Sequence, residues 1–250
     1  MHRFYLPPEQ CGGEILKLTG DEAHHAAQVL RIEKGEKVVV LNGIGTEFFC
    51  EVREVSRKEI SLAVIQKNIQ PAPQCKLTLI QAIPKGKIIE DIIQKATELG
   101  ASRVVPLLTE RVLTHLDDSG AESKREKWQH VAIEAIKQSG QPWLPKIGTP
   151  MKLQNFLAMG ENFDLSLIAS LQPGSHHAGE YFERFISENK RLPQNVCVWI
   201  GPEGDFAPDE VKQVQSNGAL PITLGKLVLR CETAAIYCLS IVNYELQAQR

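Results

Sequence analysis

The apolar positions of this chain change their rhythm about a third of the way along. In residues 1–70 they come in short runs: Lys37-Val38-Val39-Val40-Leu41, then Phe48 to Val55, then Ile60 to Ile65, with Asn42-Gly43 and Gly45 as turn signals after the first. Short β-branched runs split by turns predict a small barrel. Ahead of them, Gly20 to Arg31 reads as a short helix, with Asp21 as N-cap and Ala23, Ala27 and Leu30 on one side. Gln70-Pro71-Ala72-Pro73-Gln74 favours an extended, stiff connection. It divides the chain into domains 1–72 and 73–250.

Beyond the linker, strand-like and helix-like patterns alternate. Leu77 to Ile83, Arg103 to Leu108, Asp164 to Ser170, Val196 to Ile200 and Leu220 to Leu224 read as strands. Between them lie helical patterns at Ile88 to Leu99 (apolar at Ile88, Ile92 and Leu99), Ser123 to Ser139, Ala178 to Asn189 and a segment opening at Pro208 and stopping at Asn217-Gly218. A last helix, Thr233 to Gln247, carries a stripe of Ile236, Leu239, Val242 and Leu246. Five strands alternating with helices predict an α/β fold with a mostly parallel sheet.

Two strand ends feed glycine-bearing loops that each precede a helix. Val196 to Ile200 stops at Gly201-Pro202-Glu203-Gly204-Asp205-Phe206, and Leu220 to Leu224 runs into Gly225-Lys226-Leu227-Val228-Leu229-Arg230-Cys231-Glu232-Thr233-Ala234. Glycines bare the main chain, and open α/β sheets bind ligands at the carboxyl ends of strands. This is where the chemistry is expected.

Composition narrows the class. The 43 % hydrophobic content can furnish a sizeable core, no stretch is apolar enough to span a membrane, and the amino terminus lacks the apolar core of a secretory signal. A cytoplasmic location is the expectation. Six cysteines without a Cys-x-x-Cys pair are expected to be reduced thiols, neither a disulfide framework nor a zinc site. His24 and His25 point apart on a helix and do not share an ion, so no metal is expected. Formal charge is balanced throughout, with nine basic against ten acidic residues in 1–72 and nineteen against twenty in 73–250. Any nucleic-acid binding must therefore rest on local placement of arginine and lysine. There is no Gly-x-Gly-x-x-Gly after a strand, no Walker loop and no Gly-x-Ser-x-Gly.

The paired loops, Ile200 to Phe206 and Leu224-Gly225 with Leu229-Arg230-Cys231-Glu232-Thr233-Ala234, resemble the signature loops of the 16S ribosomal RNA (uracil-N3) methyltransferase family of the SPOUT superfamily. The likeness extends through Lys85-Gly86, Glu98-Leu99-Gly100, Glu110-Arg111 and Gln138-Ser139-Gly140, and more loosely through Val29-Leu30-Arg31 and Gly35. It implies a trefoil-knotted, mostly parallel sheet flanked by helices, preceded by a small PUA-like β-barrel that binds RNA. It also implies a homodimer acting on 16S ribosomal RNA in the small subunit, with S-adenosylmethionine as cofactor. Four positions depart from the pattern: Asp205 for glycine, Leu227 for arginine, Cys231 for threonine and Gln141 for arginine.

Carried over residue by residue, the resemblance assigns cofactor binding to three loops. These are Leu171, Gln172 and Pro173; Ile200, Gly201, Pro202, Glu203 and Gly204; and Leu224, Gly225, Leu227, Leu229, Thr233 and Ala234. Methylating uracil N3 needs an anionic ring, so Arg230 is expected to stabilise developing negative charge. Glu232 is either a proton acceptor or a favourable charge at a helix start. Arg31, Lys85 and Arg111 are the expected RNA contacts. A ribose 2′-O-methyltransferase and a non-catalytic ribosome assembly factor are the competing readings.

Overall fold

The structure is a computed structural model that describes residues 1–56, 58–111, 118–170 and 174–247. Its contacts divide into two units, Met1–Ala72 with Ile133–Leu144, and Pro73–Ala132 with Pro145–Arg250.

The first unit is built on β1 (Arg3–Tyr5), β2 (Ile15–Thr19), β3 (Lys37–Leu41), β4 (Thr46–Val55) and β5 (Glu59–Ile69). They form one sheet in the order β1-β3-β4-β5-β2, antiparallel except for β1 on β3. Register shifts at Phe49/Cys50 and Val52/Glu54 bend the long β4–β5 ladder. The sheet curls into a half-barrel around Phe4, Leu16, Leu18, Val40, Ile60 and Leu62. Tail residues of the Ile133–Leu144 segment join this unit, with Ile136 buried against Val39 and Leu41. The helix expected over Gly20 to Arg31 exists but differs in kind. Its α-helical part, α1, covers Gly20–His24 and passes into a π-helical turn, His25–Leu30. Thr19 is the N-cap, without a side-chain bond, and Asp21 lies inside the first turn. The turn buries Ala26 beside Ala23, while Ala27 and Leu30, expected on the same side as Ala23, are only partly buried, and Arg31 ends it in the left-handed region at φ 53°.

The second unit carries β6 (Lys76–Ala82), α2 (Ile88–Glu98), β7 (Arg103–Leu108), α3 (Asp118–Ser139, its last turns belonging to the first unit), β8 (Lys146–Ile147), β9 (Met151–Lys152) and α4 (Leu153–Ala158). It continues with β10 (Leu165–Ala169), α5 (Ala178–Asn189), β11 (Asn195–Ile200), α6 (Pro208–Ser216), β12 (Leu220–Ile222) and α7 (Cys231–Gln247). The sheet runs β12-β10-β11-β6-β7-β8, with β9 also on β7, and every pairing is parallel. Parallel strands must be covered on both faces, which is why β11 is apolar from Val196 to Ile200. Cys197 and Trp199 face a layer holding Phe156 of α4 and Val211 and Val214 of α6. On the other face α7 packs on β11, β6 and α2. The α2 stripe is rotated from the expected one: Ile89, Ile92, Ile93 and Ala96 are buried, while Ile88 and Leu99 are only partly covered. The two-residue strands β8 and β9 and the six-residue α4 are too short to leave a periodic signal. Among the described residues no helix is long and apolar enough to cross a membrane.

Candidate active site

The carboxyl ends of β10, β11 and β12, neighbours in the sheet, bring three loops together. The β11 loop turns back sharply after Ile200. A Cβ on Gly201 would lie 2.9 Å from the Phe206 backbone nitrogen and 3.1 Å from the Asp205 carbonyl carbon. Glycine is therefore required there by the loop's own main chain. Gly204 (φ 87°) and Asp205 (φ 69°) then take consecutive left-handed conformations. Aspartate tolerates that region because its short side chain bonds locally: the Phe206 N–H donates to Asp205 Oδ1 at 2.8 Å, and the Asp205 N–H to the Pro202 carbonyl at 3.0 Å. The departure from glycine at 205 thus keeps the backbone form that glycine favours.

The β12 loop begins with Thr223, whose Oγ1 accepts the Gly225 N–H at 3.1 Å, and Gly225 sits at φ 103° with open space around it. Leu227 and Val228 are exposed at 77 % and 78 %, so this loop is not held by apolar packing. The chain re-enters regular structure at Cys231, two residues earlier than the pattern suggested, which leaves Arg230 immediately ahead of α7 and Glu232 in its first turn. The β10 side is joined to β12 by the His176 N–H on the Pro221 carbonyl and the Thr223 N–H on the His176 carbonyl.

Together these loops enclose a cavity of about 850 Å³, within the range of small-molecule sites. Ile200, Gly201, Pro202, Glu203 and Gly204 line it, as do Leu224, Gly225, Leu227, Leu229 and Ala234, with Arg230 and Glu232 on the same wall. Thr233 is exposed and does not line it. Leu171, Gln172 and Pro173 lie outside the described residues, although Ala169, Ser170, Gly174 and Ser175 on either side line the cavity. Lys85 and Arg111 are not in the wall. The Lys85 N–H donates to the Glu203 carboxylate at 3.2 Å, and the Arg111 guanidinium donates to the carbonyls of Gly204 and Asp205. Arg31 belongs to the first unit. Ile88, Asp205, Lys226 and Cys231 also line the cavity. The strand-to-helix spacing after β6 was the available signal for Ile88.

Cys231 is buried, and burial first, then the Glu232 and Glu203 carboxylates, push its thiol up to about 12. It is a neutral thiol that donates weakly to Glu232 Oε2 at 3.4 Å, which removes it as a nucleophile. No group of three or more His, Cys, Asp or Glu is arranged to hold a metal among the described residues.

Residues 70–243 match a family described as "RNA methyltransferase domain", and residues 18–65 match an "RNA methyltransferase PUA domain". Ribosomal RNA small subunit methyltransferase E of Bacillus subtilis is 32% identical over 236 residues, 93% of this chain and 91% of that protein. The protein of the same description from Mesomycoplasma hyopneumoniae is 35% identical, over 96% of this chain and 98% of its own. Of solved structures, a methyltransferase candidate from Legionella pneumophila in complex with bound S-adenosylmethionine superposes with TM-score 0.84 at 32% identity, covering 98% of this chain and 96% of that one. A ribosomal RNA small subunit methyltransferase E from Neisseria gonorrhoeae bound to S-adenosyl methionine shares the fold at TM-score 0.82 and 24% identity, covering 97% and 96%.

Proposed function

This chain belongs to the ribosomal RNA small subunit methyltransferase E family of RNA methyltransferases, and from that membership we infer that it methylates N3 of a uridine in 16S ribosomal RNA using S-adenosylmethionine. The observation that carries the reading is the convergence of the two glycine loops on one cavity with Arg230 in its wall.

The residues present fit the cofactor. Ile88, Ile200, Leu224 and Leu229 offer aliphatic surface to a flat base, the glycine loops offer main-chain donors and acceptors, and Glu203 and Glu232 offer carboxylates to a cationic ligand. When bound, S-adenosylmethionine supplies an electrophilic methyl group on a positive sulfur. Holding it falls to the three loops: Ile200 to Gly204, Leu224 to Ala234 apart from the exposed Thr233, and the segment of Leu171, Gln172 and Pro173. Arg230, exposed and just ahead of α7, stabilises the negative charge of a uracil ring that has lost its N3 proton. Glu232 accepts that proton; its position in the first turn of α7 also favours its charge. Pro202 and Gly204 keep the loop shape that these contacts need.

The remaining assignments belong to the same proposal. Residues 1–72 are a PUA-like RNA-binding domain and 73–250 the catalytic domain with the family's trefoil-knotted path. Arg31 and Lys85 meet phosphates. Tyr237, Ser240 and Tyr244 are exposed along one side of α7, and that side forms a homodimer. A ribosomal RNA substrate puts the enzyme in the cytoplasm.

Mass mapping of nucleosides in 16S ribosomal RNA from cells with and without the gene tests the reaction. A 3-methyluridine that disappears with the gene supports it, and a ribose methyl that disappears instead rejects it.

A further inference from the structure

The Gly201–Ala207 loop has a shape that its residues allow but that is costly to order. Glycines and two consecutive left-handed residues give it high conformational freedom, so something must hold it. Two side chains from elsewhere do so. The Glu210 carboxylate, only 5 % exposed, accepts the Ala207 N–H through Oε2 at 2.9 Å and the Glu110 N–H through Oε1 at 2.9 Å. The next residue, Arg111, donates its guanidinium to the carbonyls of Gly204 and Asp205. The end of β7 and the loop after β11 are thus stitched twice: once by an anion on N–H groups and once by a cation on C=O groups.

We propose that Arg111 and Glu210 are positioning residues that act as one clasp, setting the main chain of the Gly201–Ala207 loop for the cofactor. The proposal rests on the reading of the cavity as the S-adenosylmethionine site. Glu210 holds the backbone at Glu110 and so aims Arg111; Arg111 engages two loop carbonyls and leaves the rest of that main chain preset for a ligand. Preorganisation of this kind lowers the ordering cost of binding. It also gives Arg111 a duty other than gripping RNA phosphates.

The test uses the full-length protein with Arg111→Ala, Glu210→Gln and the double variant. Glutamine keeps the shape of Glu210 but turns an NH₂ toward one of the two N–H donors. Amide hydrogen exchange without ligand is expected to quicken at 201–207 in both single variants, and at Glu110 in Glu210→Gln, while β11 keeps its protection. Calorimetry is expected to show S-adenosylmethionine affinity falling roughly ten- to a hundredfold in each single variant, as for loss of a charge-assisted hydrogen bond. The double variant should be little weaker than the worse single one, because the two effects share one loop. Unchanged exchange overturns the clasp whatever the affinity does. Unchanged affinity with a raised KM for RNA in Arg111→Ala overturns it in favour of an RNA contact. A wild-type protein that binds no S-adenosylmethionine overturns the cavity reading and the clasp's purpose, yet leaves the exchange result to stand. If Glu210→Gln does not fold, the exposed Arg111 site carries the test alone.

Discussion

Lys137 Nζ lies 2.7 Å from Glu22 Oε1, across 115 positions of sequence, and only 7 % of its side chain is exposed. Glu134 Oε1 completes the group at 2.8 Å, and Glu22 Oε2 is buried without a hydrogen-bond partner. All three residues belong to the first unit.

That pairing makes Lys137 a stability determinant. Burial raises the Glu22 carboxyl's pKa, and the Lys137 ammonium opposes the rise. Removing the ammonium takes away the hydrogen bond on Oε1 and leaves neither carboxylate oxygen of Glu22 with a hydrogen-bond partner, so Lys137→Ala is expected to cost about 3 kcal/mol. The Glu22→Ala, Lys137→Ala double variant should cost less than the sum of the two. Urea titration of the four proteins measures this, and additive losses would contradict the pairing.

Arg230→Ala is expected to lower turnover by about a hundredfold, the scale of losing one preorganised charge donor, with S-adenosylmethionine affinity nearly intact. Single-turnover rates and calorimetry separate the two. A variant with normal turnover removes Arg230 from the mechanism.

Gly201 and Gly225 differ in why they are glycine, and their variants should differ too. At Gly201 an added side chain meets Phe206 and Asp205 main chain, so Gly201→Val deforms the loop itself at a cost of about 1–3 kcal/mol and weakens cofactor binding. At Gly225 the space is open but φ is 103°, so Gly225→Ala carries backbone strain of about 1 kcal/mol. Thermal melts and cofactor titrations of both distinguish steric from conformational cost; equal behaviour would reject the distinction.

The thiols predict a weakness to alkali. Burial pushes Cys50, Cys197 and Cys238 up to about 12, as it does Cys231. An unfolded thiol titrates near about 8.5. Raised values in the folded state mean that the stabilisation is fully present below that pH and is lost as pH climbs toward 12. Urea midpoints should therefore fall steadily from about pH 9 upward, less steeply in Cys238→Ala. Iodoacetamide at neutral pH should leave Cys231 unmodified in folded protein, read by mass spectrometry.

The strand and helix alternation of the second unit, the two glycine loops and the helix starts at Pro208 and Ala178 were legible because each is a local matter. A parallel strand buried on both faces must be apolar throughout, and φ above zero or a tight turn calls for glycine. The π turn after α1 and the rotated stripe of α2 were not legible. Their geometry is decided by what packs against them, and a period of 3.6 assumes a regular helix facing one surface.

The amino-acid order alone determined that the last two strands each end in a glycine-bearing loop and that Arg230 lies between the second loop and the last helix, since spacing along the chain dictates that. The sheet order β12-β10-β11 is what brings the first loop to the same cavity as Arg230. Nor did the amino-acid order determine that Glu210 would spend its charge on Glu110, or that Arg111 would reach Gly204. Those partners lie 93 to 100 positions apart, and only the order of strands in the sheet brings them within hydrogen-bond range.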